Sequence, residues 1–474
     1  MTTALGMLLP HVGRWRSLTI LTDTWAPMDA ALALLNTEVD ASDAPLLESL
    51  SLMRCNEFAS YDDFHPAHMR DSNNRMPFRR NLLLAGDENP LPRLRSLNLT
   101  GVHVDWDALP SLLARQPTPS PSSHGVQSLD LKYHSRDVRP CTCAFRDLLR
   151  ACPDLRSLSV VMSGPFMDIE DEGNRPVVHL PHLEQLYLGY ATSHDACHLL
   201  RILNAPNLTT LTLEDATHPA SPFDTDAQAI LQYLGTSTVV ADDESTTTTH
   251  SAPAGTSSNQ HPLTPFPRLQ DITLAGVKAA PDAFSLFFRA HPLLQHLEMS
   301  HVPHYAARGL LPSTDATVPC PLLRTLCVRG GHPDVEFISY VLPQQRAEKG
   351  ARQLREVEVH VDPDAQSEYA GSVRDDDSSV DSCEEEDEED EVMSDHRAFI
   401  DHDSSSPVEL ALDCSGEWGT AVRVIRSPST VLKVDELDMD CDYAAADPYA
   451  LGGAFNDPDF DEYYAGRRLW TAAG

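Results

Sequence analysis

One frame, P-x-L-x-x-L-x-L, returns in a single phase along most of the chain, and it restricts the fold more than any other feature. Its clearest copy is Pro45-Leu46-Leu47-Glu48-Ser49-Leu50-Ser51-Leu52. Further copies open at Pro92, Pro153, Pro181, Pro206, Pro267, Pro292 and Pro321. Each carries apolar residues three and five positions after its first leucine: Leu97/Leu99, Leu158/Val160, Leu186/Leu188, Leu211/Leu213, Ile272/Leu274, Leu297/Met299 and Leu326/Val328. Copies without the proline start at Trp15, Val126 and Leu354. Residues two apart on a strand point to one face, so Leu50 and Leu52 share a side. The proline suits strand entry, where no ladder N–H is needed, and it stops a preceding helix. One unit cannot bury its leucines alone, whereas stacked neighbours can.

The leucine pattern and the roughly 25–32-residue steps between most copies resemble leucine-rich repeats. Between the strand signatures lie segments with apolar residues at helical spacing: Met28–Glu38, Trp106–Arg115, Ala144–Ala151, Asp195–Leu203, Asp226–Leu234, Ala283–Arg289 and Val335–Gln345. Strand then helix, repeated, predicts an α/β fold. The expected form is a leucine-rich-repeat solenoid, a curved horseshoe with parallel strands on the concave side and helices on the convex side. The solenoid is expected over 1–363, interrupted by a Ser/Thr-rich disordered insertion at 236–261. An acidic disordered linker over 364–407 follows. It contains Asp375-Asp376-Asp377 and the unbroken run Glu384–Glu391, which self-repulsion keeps extended. Val408-Glu409-Leu410-Ala411-Leu412 alternates like one more strand, giving a final strand or cap over 408–434, and 435–474 reads as an acidic, poorly ordered tail.

The net charge of −36 opposes nucleic-acid binding, which needs clustered Lys and Arg. No apolar run of membrane-spanning length occurs, so no membrane partner is expected, and Met1–Val12 lacks the character of a secretory signal. The ten cysteines are scattered, as in a reducing compartment, which points to the cytoplasm or nucleus. Cys141-x-Cys143 is too short for zinc-ribbon spacing and has no second pair. No metal or cofactor is expected. No nucleotide-binding, nucleophile-elbow or zinc-protease motif is present, and His179, His261, His291 and His332 lie within two residues of a proline, as loop histidines do. The chain therefore reads as a non-enzyme and a monomer.

Residues alternating with the buried leucines should line the concave face. Early repeats place Ser17, Ser49, Ser96, Ser128 and Ser157 there, small hydroxyls suited to a tightly curved sheet. Later repeats place charge and bulk, and the candidate partner-binding residues are Tyr187, Asp271, His296, Glu298, Arg329, Glu356 and Glu358. Ser378 and Ser382 carry acidic residues three positions on (Asp381, Glu385), which makes them candidate phosphosites for acid-directed kinases.

The stretch His11-Val12-Gly13-Arg14-Trp15-Arg16-Ser17-Leu18-Thr19-Ile20, with Asp23-Thr24-Trp25-Ala26-Pro27-Met28, resembles the region after the F-box in mushroom-type fungal F-box proteins. Ala44–Leu52 and Cys55-Asn56-Glu57-Phe58 are similar to that family's first clear repeat. The resemblance implies substrate recognition by the repeats for a cullin-type ubiquitin ligase. No F-box-like segment precedes Arg14, so a Skp1-type adaptor is an expected partner only if an F-box is supplied upstream. The alternative expectation is an acidic leucine-rich-repeat protein that binds histones or other basic proteins.

Overall fold

The structure is a computed structural model. It describes residues 2–40, 43–55, 63–71, 76–78, 91–114, 125–166, 177–217, 226–236, 264–312, 318–330, 333–361, 408–410 and 421–426. The insertion (but for Thr236), the acidic linker, Ser378, Ser382, the tail and His261 and His332 lie outside the described residues.

The repeated frame becomes one large sheet. In chain order its strands are β1 (Ser17–Thr22), β2 (Ser49–Arg54), β3 (Ser96–Thr100), β4 (Ser128–Lys132) and β5 (Ser157–Val161). They continue as β7 (Gln185–Tyr190), β9 (Thr210–Asp215), β10 (Asp271–Ala275), β11 (His296–Ser300), β12 (Thr325–Arg329) and β13 (Glu356–Val361). The last two are β14 (Val408–Leu410) and β15 (Ala421–Arg426). Among the described residues the order is β1-β2-β3-β4-β5-β7-β9-β10-β11-β12-β13-β15-β14, thirteen strands, every pairing parallel until β14 meets β15 antiparallel. The short strands β6 (Val178–His179) and β8 (Leu203–Asn204) form a separate parallel pair.

The register pairs equivalent repeat positions: Leu50 faces Leu97, Leu211 faces Ile272, and Leu297 faces Leu326. Burial alternates over the frame positions of the strands, as in β2, β4 and β10, so the leucine positions are enclosed and the positions between them form an open face, while β3, β5 and β7 end in consecutive buried residues. Leu47, Leu155, Leu208, Leu269 and Leu323, the first leucines of the frame, are fully enclosed as well. Each such side chain removed from water contributes about 1.5–3 kcal/mol.

Two backbone devices recur. At strand entry one carbonyl accepts two N–H groups of the next unit: Arg16 O takes Glu48 N and Ser49 N, Thr209 O takes Gln270 N and Asp271 N, and Arg324 O takes Arg355 N and Glu356 N. At strand exit the residue after the strand turns left-handed. Gly101, Gly276 and Gly330 hold φ of 61°, 66° and 70°, and Tyr133, Met162 and His301 hold 56°, 51° and 53°. Glycine takes this conformation without a Cβ penalty. At Gly330 a Cβ would also lie 2.5 Å from His301 Nε2.

Helices cover the leucine side of the sheet. They are α1 (Thr2–Leu8), α2 (Trp25–Glu38), α3 (Leu109–Leu113), α4 (Thr142–Arg150), α5 (Ser193–Ile202), α6 (Gln228–Thr236), α7 (Pro281–Ala290) and α8 (Leu342–Glu348). Cys141 Sγ accepts from Ala144 N at the start of α4, and Thr192 Oγ1 accepts from Asp195 N at the start of α5. These caps satisfy N–H groups that a helix start leaves over. Helix α7 brings Phe284, Phe287 and Phe288 into the core. Among the described residues no helix is long and apolar enough to cross a membrane.

Polar groups inside the fold are held by backbone. Arg346 is 1% exposed and donates to the carbonyls of Leu310, Pro319 and Cys320 at 3.1, 2.7 and 2.7 Å. The Arg54 guanidinium lies over the rings of Trp25 and Phe64, 5.7 and 5.2 Å from their centroids. His134 is buried; its Nε2–H donates to Val102 O at 3.0 Å, and Nδ1 lies 2.8 Å from the Ser163 oxygen, which accepts from His134 N and donates to Val161 O.

Candidate interaction face

Strand alternation and register together arrange the open face as rows that run across the strands. The first row reads Thr210, Asp271, His296, Thr325, Glu356 and Ala421 from β9 to β15. The middle row reads Thr212, Thr273, Glu298, Cys327, Glu358 and Arg423. The last reads Glu214, Ala275, Ser300, Arg329, His360 and Ile425. On the early strands the equivalent first row is Ser17, Ser49, Ser96, Ser128 and Ser157.

The candidate residues all stand on this face, and most of them contact one another. Arg329 Nε lies 3.2 Å from Glu298 Oε1 and donates to Cys327 Sγ at 3.2 Å. His360 Nε2 donates to Glu358 Oε1 at 2.6 Å. Arg423 Nη1 lies 3.4 Å from Glu356 Oε1, and His296 Nε2 lies 3.9 Å from Asp271 Oδ1. His296 Nδ1 also reaches Thr325 Oγ1 at 2.5 Å. Glu298, Arg329, Glu356 and Glu358 thus form one continuous charged patch over β11, β12 and β13, with the Asp271–His296 pair beside it.

Tyr187 is separate. It lies on β7, and its hydroxyl donates to Glu214 on β9 rather than to the late patch. Burial pushes the phenol well above its usual range, and the Glu214 carboxylate adds to this. It therefore acts as a neutral donor. Burial also raises the Cys327 thiol, against the nearby Arg329, which favours the thiolate. Accepting Arg329 Nε–H, Cys327 in turn raises the arginine.

The ion pairs are substantially exposed, with side-chain exposures of 48% and 36% for Arg329 and Glu298. Such pairs contribute at most about 1 kcal/mol each to stability. Their effect lies in the field: carboxylates at Glu214, Asp271, Glu298, Glu356 and Glu358 outnumber the guanidinium groups of Arg329 and Arg423. The face is acidic and favours a positively charged surface.

Three residues of this patch are absent from the set chosen on sequence. Cys327 and His360 occupy open-face positions, but their proximity to Glu358 depends on register. Arg423 belongs to β15, which has no P-x-L entry. Its signal was the alternation Ala421-Val422-Arg423-Val424-Ile425, with Val422 and Val424 buried. The stretch 408–410 is a strand as expected, though it lies outermost and antiparallel, with β15 between it and β13.

No protein-family model matches the chain, and no curated protein matches it. Among solved structures it is similar to a crystal structure of the Rad7 and Elc1 complex in yeast, at 14% identity and a TM-score of 0.28, covering 76% of this chain and 83% of that one.

Proposed function

We propose that this chain is a non-catalytic protein-interaction scaffold built as a leucine-rich-repeat solenoid. In this reading the sheet is the concave wall of a horseshoe and the helices are its convex wall. A protein partner is gripped by the late strands, and it presents lysine or arginine to the acidic patch. The observation that carries this reading is the set of three neighbouring pairs on one open face, Asp271 with His296, Glu298 with Arg329 and Glu356 with Arg423, spread from β10 to β15. Those pairs add little stability, yet they lie side by side on a broad open surface of the kind repeat proteins use for partners.

The resemblance to fungal F-box proteins with repeats supplies the finer form of the proposal. The chain would be the substrate-recognition part of a cullin-type ubiquitin ligase, with an F-box upstream to dock a Skp1-type adaptor and with catalysis supplied by the ligase partners. The site of action would be the cytoplasm or nucleus.

The test is affinity purification from the source cells with the wild-type chain and with Glu298→Lys/Glu356→Lys/Glu358→Lys, followed by mass spectrometry. Loss of specific partners from the reversed variant is expected, with co-purifying adaptor and cullin unaffected if the ligase form is right. An identical partner set would remove the interaction face from consideration. Mapping the native N-terminus against the 52.2 kDa chain tests the ligase form on its own.

A further inference from the structure

On the open face the pairing of β12 with β13 sets Cys327 opposite Glu358 and Arg329 opposite His360. Glu358 and His360 are two apart on one strand and therefore project from the same side. The result is a thiol, a carboxylate and an imidazole whose donor atoms all lie within 4.8 Å of one another. All three residues are partly buried, and the Glu358 and His360 side chains are 26% and 20% exposed.

We propose that Cys327, Glu358 and His360 form a mononuclear site for a borderline divalent cation of the Zn2+ class. The donor set is the first reason. Thiolate sulfur and imidazole nitrogen favour Zn2+ and its neighbours over Mg2+ or Ca2+, and carboxylate oxygen is a common third ligand. Spacing is the second. Ligands of a tetrahedral zinc at about 2.0–2.3 Å stand about 3.3–3.7 Å apart, within reach of small side-chain rotations from the present positions. His360 Nε2 and Glu358 Oε1, now 2.6 Å apart, would open slightly as the metal replaces the shared proton. The surroundings are the third. Glu298 and Glu356 add negative charge on the same face, against Arg329 and Arg423, which are already engaged by those carboxylates. When the thiolate turns to the metal, Arg329 gives up its bond to Cys327 and keeps Glu298. Three protein ligands on a flat strand pair leave the fourth position open to water or to a donor from a bound partner.

The site shares Glu358 with the partner-binding face, but its test reads metal binding alone and uses Cys327 and His360, which the charge-reversed variant leaves unchanged. Its ligands were not recognisable from spacing: Glu-x-His with a cysteine thirty-one positions upstream matches no metal motif, and only the register joins them.

The experiment titrates the full metal-free chain with Zn2+ against a chromophoric chelator, and records the absorption spectrum with Co2+ as a probe. The comparison set is wild type, Cys327→Ser, His360→Gln and, as a control for the other thiol pair, Cys141→Ser/Cys143→Ser. Expected are one Zn2+ per chain lost or weakened at least tenfold in Cys327→Ser and in His360→Gln, and kept in the control. A Co2+–thiolate charge-transfer band should be present in wild type and control and absent in Cys327→Ser. Retained band and affinity in Cys327→Ser, or no such band in wild type, would overturn the assignment. The wild-type and control spectra decide even if a variant folds poorly, because a band abolished in the control belongs to Cys141 and Cys143 and also refutes it.

Discussion

Acidification should loosen this fold through His134, and the size of the effect follows from its surroundings. The imidazole is buried between Val102 O and the Ser163 hydroxyl, with Trp106 packed 5.2 Å away at an edge-on angle. Burial, with neighbouring cationic and histidine side chains, pushes its pKa down to about 3, although the Val102 carbonyl favours the protonated form. The folded value thus lies below the unfolded value of about 6.5. Between these values the unfolded chain binds a proton that the folded chain refuses. Stability from this group is complete above pH 6.5, falls as the pH drops through the window, and levels near pH 3. Between pH 7 and pH 5 the loss is about 2 kcal/mol. His134→Gln offers a neutral amide that can donate to Val102 O in place of Nε2–H, so it keeps that contact and removes the titration. Urea unfolding followed by tryptophan fluorescence, with Trp106 as the local reporter, should show wild type losing about 2 kcal/mol more than the variant between pH 7 and pH 5. His291, pushed down to about 4 by burial, is present in both chains and cancels. Parallel pH profiles for the two chains would refute the argument.

Two further outcomes test the packing. Leu211→Ala removes a fully enclosed side chain from the middle of the sheet and should cost about 2–5 kcal/mol by calorimetry, a loss under 1 kcal/mol meaning that neighbouring strands collapse to fill the space. Arg346→Met keeps volume but leaves the carbonyls of Leu310, Pro319 and Cys320 without their donor. A destabilisation on the order of 3 kcal/mol is expected from denaturant midpoints, and an unchanged midpoint would show that water replaces the guanidinium.

The strands and much of the core were legible because the frame has one phase. A slip of one residue would expose every leucine, so Leu50, Leu97 and Leu129 could only meet as they do. Helix ends were less legible. The expected helix Trp106–Arg115 contracts to Leu109–Leu113 because the Asp105 carboxylate accepts from Asp107 N and Ala108 N and holds a turn first. The expected Val335–Gln345 helix contains a wider π turn over Phe337–Val341 just before Pro343, whose missing N–H breaks the regular ladder, and only then becomes α8. The open-face positions were read correctly from alternation. Which of their side chains touch, as in Arg329 with Glu298 and His360 with Glu358, rests on rotamers and on contacts between distant segments, which periodicity does not encode. The left-handed exits at Tyr133, Met162 and His301 had no glycine to announce them.

The carbonyl that accepts two N–H groups from the next unit has a kinetic consequence. Every joint in the sheet gains the same few bonds, but the chain that must be closed to form them differs. From Ala275 to His296 the excursion is short, whereas from Asp215 to Asp271, and again from Val361 to Ala421, it is more than twice as long. The longer closure costs about 0.9 kcal/mol more for equal reward. Assembly should therefore proceed quickly within β3 to β9 and β10 to β13, more slowly across the longer excursion from Arg54 to Ser96, and wait longest at the seam between β9 and β10 and before β15. Under load or heat the molecule would part along those seams, as a column splits at its thinnest mortar rather than through its stones.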